Sequence, residues 1–152
     1  ETLADEAAKK GDDYQSILIK SLGDRLAEGL AEWAHFQVRK MFPHGQKESL
    51  TVDDLIKEKY RGLRPAPGYP SCPDHLHKFQ IWDLMQVEKR IGVSLTESAA
   101  MTPSSSVSGF YFFHPESTYF FVSRIGRDQL DYHIQNRNID EGLLKKWLSP
   151  LL

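Results

Sequence analysis

The chain has 152 residues, carries 19 basic against 21 acidic side chains and holds one cysteine, Cys72. That length is the usual size of one domain, and a near-neutral balance with scattered Lys and Arg gives no field to hold a polyanion, so nucleic acid is not an expected partner. A lone cysteine excludes an internal disulfide, and no apolar run nears the roughly 20 residues of a membrane helix, so no membrane association is expected.

Taken in order, residues 1–11 are small and polar and read as a linker or frayed end, with a single domain over 12–152. The opening has no basic-plus-apolar leader, which with the cysteine usage predicts a cytoplasmic location. Asp12 or Asp13 can cap a long helix, because a carboxylate there accepts from the free N–H groups of the first turn. Leu18, Leu22, Leu26, Leu30 and Trp33 recur at steps of three and four, and Ala27, Ala31 and Ala34 form a second strip. This spacing predicts a helix packed on two faces that stops near Met41. Glu28 falls off the leucine stripe and reads as part of a solvated face. Thr51 and Asp54 then form a capping box that opens a short helix ending at Gly62, with Glu58 and Tyr60 in its last turn.

Arg64-Pro-Ala-Pro-Gly-Tyr69-Pro and the following Ser71-Cys-Pro-Asp-His75 place Pro65, Pro67, Pro70 and Pro73 within a short span. Proline fixes φ and pushes its predecessor towards extended backbone, so this stretch is a strap stiff before anything binds, with Gly68 as its one permissive joint. Pro73-Asp74 precede a third helix that carries Phe79, Ile81, Trp82, Leu84 and Met85 and stops at Gly92. Beyond it, Val93 to Thr96, Val107 to Phe113 and Tyr119 to Ile125 read as strands, with His114 to Thr118 as a hairpin turn and Thr102 to Ser106 as a surface loop. Helices then return near Asp128 and at Asp140. The layout is α+β, an antiparallel β-sheet flanked by helices.

No nucleophile elbow, phosphate-binding glycine loop or paired-carboxylate motif is present, so no catalytic residue is expected. Cys72, His75 and His77 offer a sulfur and two imidazoles, but a fourth ligand is lacking and the spacing is not one of the zinc patterns, so no metal is expected. The strap suggests another chemistry. Arg64 offers a planar fork that fits a carboxylate, Ala66 a backbone edge, and Tyr69 and Tyr119 ring faces for a flat base or a cation. Glu28 and Glu58 would suit an ammonium. A zwitterionic, aromatic, cationic ligand matches this inventory, without being singled out by it.

The wording RPAPGYPSCPDH, together with Leu95-Thr-Glu-Ser-Ala-Ala-Met101, Ser106-Val-Ser-Gly-Phe-Tyr111, His114-Pro and Tyr119-Phe120, resembles the activation domain of cobalamin-dependent methionine synthase. The resemblance runs from about Asp12 to Pro150. It implies the fold of that domain and an S-adenosylmethionine site made by Arg64, Ala66, Tyr69, Tyr119, Phe120, Glu28 and Glu58. It also implies presentation of the ligand's methyl group to enzyme-bound cob(I)alamin during reductive reactivation. Cobalamin would be held mainly by another domain, and zinc only by the full-length enzyme's other modules. The implied partners are the cobalamin-binding domain and a flavodoxin-like electron donor. Thr102, Thr118 and the chain's end depart from the family pattern, which bears on cobalamin-facing contacts. Relatives also carry an upstream Asp-Trp-Thr-Pro-Phe-Phe segment not found here, so the chain resembles the C-terminal part of the domain. A stand-alone S-adenosylmethionine sensor or a reactivation partner for a corrinoid protein is the other function consistent with these motifs.

Overall fold

A computed structural model describes residues 1–137 and 139–152. Helix α1 (Thr2–Lys9) occupies the stretch expected to be a frayed end, with Ala4 and Ala7 buried. Small polar composition misled the reading, because two alanines a turn apart are enough to seat a short helix on its neighbour. Helix α2 (Asp13–Arg39) follows, and its Asp12 side chain accepts from the Gln15 N–H at 2.9 Å. Helix α3 (Val52–Ile56) starts at the Thr51–Asp54 capping box, with both reciprocal bonds present. It ends well before Gly62, where the residues up to the strap leave helical geometry.

Of the two faces of α2 expected to be packed, the leucine stripe is uncovered, while the strip of Ala27, Ala31 and Ala34 is half-buried. Leu18, Leu22, Leu26, Leu30 and Trp33 are exposed, while Ser16, His35 and Arg39 are buried. Its small-residue side admits the 102–106 loop. Ser105 Oγ donates to Asp24 Oδ1 at 2.7 Å, and a Cβ on Gly23 would stand 2.8 Å from that hydroxyl oxygen.

The expected third helix is two: α4 (His77–Met85) and α5 (Val87–Ile91), divided at Gln86, which adopts the left-handed conformation with φ 50°. Strand β1 (Ser94–Leu95) pairs antiparallel with β2 (Met101–Thr102), with Ser94 opposite Thr102 and Leu95 opposite Met101. The Val93–Thr96 strand is therefore present in shortened form, and the loop expected to begin at Thr102 gives its first residue to the sheet. Val107 to Phe113 and Tyr119 to Ile125 form no regular strands and, among the described residues, do not pair with each other. The first instead lies along the strap, where Leu63 and Phe112 exchange N–H···O bonds of 2.8 and 2.9 Å and the Phe110 N–H donates to Pro65 O at 2.9 Å. Proline offers a carbonyl but no N–H, so the pairing cannot continue as a regular ladder.

Helices α6 (Arg127–Arg137) and α7 (Glu141–Leu148) close the fold, the latter capped by Asp140 through Leu143 N–H at 2.8 Å. Leu76, Leu130, Leu144 and Leu148 form a buried cluster against which Ile125, Ile134, Ile139, Trp147 and Leu151 pack. An Asp74–Arg137 ion pair sits at its edge, and Asp74 Oδ1 also accepts from the Leu76 N–H at 2.8 Å. The start of α4 is thereby tied to the C-terminal helices, and the strap is held between this cluster and α2.

Candidate functional site

The strap's extended backbone sends successive side chains to opposite sides. Arg64 turns towards α2. Its Nη1 forms an ion pair with Glu32, and its Nη2 lies 3.7 Å from Glu58 Oε1. Its backbone N–H donates to the Tyr119 hydroxyl at 3.1 Å. Burial works against the guanidinium's charge, but the Glu32 hydrogen bond and the neighbouring Tyr60, Glu32 and Glu58 outweigh it and push its pKa above the ordinary arginine value. The fork is charged at every working pH.

Beneath Arg64 lies an aromatic and basic floor. The Tyr60 ring has the Arg39 guanidinium 4.0 Å from its centroid and that of Arg64 at 5.7 Å. His35 meets Tyr60 edge-on and lies parallel to the Tyr111 ring, each at a centroid distance of 4.9 Å. Burial pushes the Tyr60 phenol up to about 12. His35 is lowered to about 4, first by burial and then by the charges of Arg39 and Arg64. Both groups are neutral at pH 7, and the guanidinium groups carry the positive charge of this floor.

Of the residues singled out in the sequence, Arg64, Glu58 and Tyr119 come together. Ala66 is on the same strap, but its carbonyl is not free as expected, because it accepts from the Tyr69 N–H at 3.2 Å. Tyr69 is 65% exposed and begins a tight turn closed by Cys72 N–H to Tyr69 O at 2.8 Å, so its ring stands open to solvent. Phe120 falls on the other side of the strap from Tyr119, as a two-residue period requires. There it lines an open cleft of about 480 Å³ with Leu63, Pro65, Phe110, Phe112 and Cys72. Glu28 is solvent-facing and paired with Arg25 at 2.6 Å. The carboxylate on Arg64 belongs to Glu32, one turn further along α2, which sequence reasoning did not find.

A signal for it existed. Glu32, His35 and Arg39 recur at steps of three and four, a polar stripe at helical spacing, and it is this stripe that faces the strap and the Tyr60 ring beneath it.

Gly68 sits at φ 100°, and a Cβ there would come within 2.0 Å of the His75 ring, which also packs on Trp147 at 5.6 Å. Burial and the nearby Asp74 charge push the Cys72 thiol up, so it is a weak nucleophile. Among the described residues no group of three or more His, Cys, Asp or Glu side chains converges to hold a metal ion. No helix among them is long and apolar enough to cross a membrane.

Residues 1–138 match the family model for the vitamin B12 dependent methionine synthase activation domain. A crystal structure of the MetH reactivation domain bound to AdoHcy matches with a TM-score of 0.95 and 47% sequence identity, covering 99% of this chain and 47% of that one. The chain thus spans about half the length of that relative. The strap, the aromatic segments along it and the helix that supplies Glu32 are accordingly those of a known fold, and the chain belongs to the activation-domain family of vitamin B12-dependent methionine synthases.

Proposed function

We propose that this chain binds S-adenosylmethionine and helps present its methyl group for the reductive reactivation of cobalamin-dependent methionine synthase. The observation that carries the reading is the charged Arg64 fork, fixed on a rigid strap and bordered by Glu32, Glu58 and Tyr119, in a chain 47% identical to an AdoHcy-bound reactivation domain. Arg64 takes the ligand's carboxylate, the Ala66 and Tyr69 segment borders the nucleoside, and Glu58 faces the ammonium. Glu28 extends the acidic edge one turn along α2. Tyr119 holds the strap through its hydroxyl, and Phe120 supports the strap from behind.

Reduced cobalamin, carried by another domain of the enzyme, supplies the nucleophile that accepts the methyl group. This chain's contribution is orientation and exclusion of water, with no general base required. The methyltransferase activity belongs to the whole enzyme. The cobalamin-binding domain is the intramolecular partner, a flavodoxin-like protein the electron donor, and the cytoplasm the setting.

Calorimetric titration with S-adenosylmethionine and S-adenosylhomocysteine tests the reading. Saturable binding is expected, and Arg64→Ala weakens it by about 1.5 to 3 kcal/mol through loss of a charged hydrogen-bonded pair. Arg64→Lys restores only part, because the fork is lost. Tyr119→Phe lowers affinity while the melting temperature barely moves. Absence of binding by a polypeptide that also carries the upstream Asp-Trp-Thr-Pro-Phe-Phe segment overturns the proposal.

A further inference from the structure

The two carboxylates on Arg64 are not equivalent. Glu32 is in direct contact with Nη1, and its side chain is 26% exposed, as is that of Arg64. Glu58 stands 3.7 Å from Nη2, beyond hydrogen-bond reach, and its side chain is 48% exposed. Glu32 projects from the middle of a long helix whose neighbouring turns are fixed by buried His35 and Arg39. Glu58 lies past the end of α3, with φ 51°, on an irregular segment. The guanidinium is thus gripped from one side by a rigid element and touched from the other by a loosely held one.

We infer that Glu32 is a positioning residue that anchors Arg64, and that Glu58 is its exchangeable partner. An incoming α-carboxylate displaces Glu58 alone and takes its place at the open part of the fork. The displaced Glu58 carboxylate then receives the α-ammonium, which a zwitterionic head group carries one carbon away from the carboxylate. Arg64 keeps one protein carboxylate throughout, so the charge at the fork stays balanced during exchange. The site selects α-amino acids by this swap, since a ligand with only one of the two charges gains only one side of it. The inference rests on the proposed amino-acid-bearing ligand and assigns the division of labour within its head-group site.

Three probes separate the possibilities by calorimetry on the 152-residue chain: S-adenosylhomocysteine, its deaminated analogue with a carboxylate only, and its decarboxylated analogue with an ammonium only. Glu58→Gln is expected to strengthen the deaminated analogue several-fold, because nothing charged has to be displaced, and to weaken the decarboxylated one several-fold. Glu32→Gln is expected to weaken both carboxylate-bearing ligands about tenfold and to leave the decarboxylated analogue unchanged. A fold-wide effect of Glu32→Gln would weaken all three ligands alike, and that outcome overturns the anchor role. Equal direction of the Glu58→Gln effect on the two single-charge analogues overturns the exchange, and this exposed variant decides the matter even if Glu32→Gln fails to fold. Wild-type protein that binds none of the three, with the upstream Asp-Trp-Thr-Pro-Phe-Phe segment attached as well as without it, removes the underlying ligand assignment too, whereas wild-type binding with unaltered selectivity in both variants sinks only the swap.

Discussion

His35 is fully buried, and among the described residues neither ring nitrogen has a hydrogen-bond partner. Its folded pKa of about 4 lies below the ordinary histidine value of 6.5, so the neutral ring is the one the folded chain accepts. Between those two values the unfolded chain binds the proton more readily, and stability therefore falls as pH drops from about 6.5 towards 4 and is unaffected by this residue above that window. Linkage sets the loss at up to about 3 kcal/mol. Urea unfolding of the wild type and His35→Phe at pH 7 and pH 4.5 isolates the effect, since the carboxylates that also titrate there are common to both chains. An equal pH response in the two chains removes the assignment. At this scale much was legible. Arg64 stands out because the proline that follows it leaves it few conformations, and a local rule places it, whereas Tyr119, far along the chain, was singled out through the family motif. Glu32 was not, because an apolar stripe is the usual inward face of a helix, and here the leucines compete with a polar stripe that has the buried arginine floor as its partner.

Among the elements, those with local causes agree best with the sequence. Asp12, Thr51 and Asp140 each cap the helix that follows through a side chain bonded three residues on, and such contacts depend on nothing distant. The aromatic run at 107–113 was read as a sheet strand because its alternation is real. Which edge it meets is a nonlocal fact, and the edge turned out to be a proline strap that can accept at Pro65 but not donate. Gly109 allows that approach, since a Cβ there would stand 2.8 Å from Pro65 O. The strap's own joint is more demanding. Gly68→Val combines a left-handed φ with a clash against a histidine ring that Trp147 backs, so a loss of roughly 2 kcal/mol or more is expected. Substitutions in the Ser104 to Ser106 loop cost less. Thermal unfolding and ligand titration of Gly68→Val beside Ser104→Ala check this, and equal behaviour of the two would mean that the strap's shape is unimportant.

For the whole molecule, the outward leucine stripe of α2 is the dominant surface feature. Leu22, Leu26, Leu30 and Trp33 lie on one side of a 27-residue helix and are all exposed. An apolar strip of that length favours association in water, so sedimentation velocity on the chain is expected to show concentration-dependent self-association, and Leu26→Glu with Leu30→Glu to restore a monomer. A monomeric wild type at high micromolar concentration would contradict this. An antiparallel sheet flanked by helices was readable from the motifs, whereas the pairing of Ser94–Leu95 with Met101–Thr102 and the uncovered leucine stripe of α2 were not, because periodicity says that an element has a face without saying what covers it. The tryptophans, finally, give the molecule three separate optical reporters. Trp33 stands in water on the stripe. Trp82 is pinned through its Nε1–H to Val93 O at 2.7 Å, where α4 meets the sheet. Trp147 rests against His75, the ring that covers Gly68. A protonated imidazole quenches indole emission, and burial together with Lys78 lowers the pKa of His75. The emission of Trp147 is therefore a light signal from the strap's hinge, dimming only when the solution is more acidic than an ordinary histidine requires and brightening if the ring is pulled away from its tryptophan.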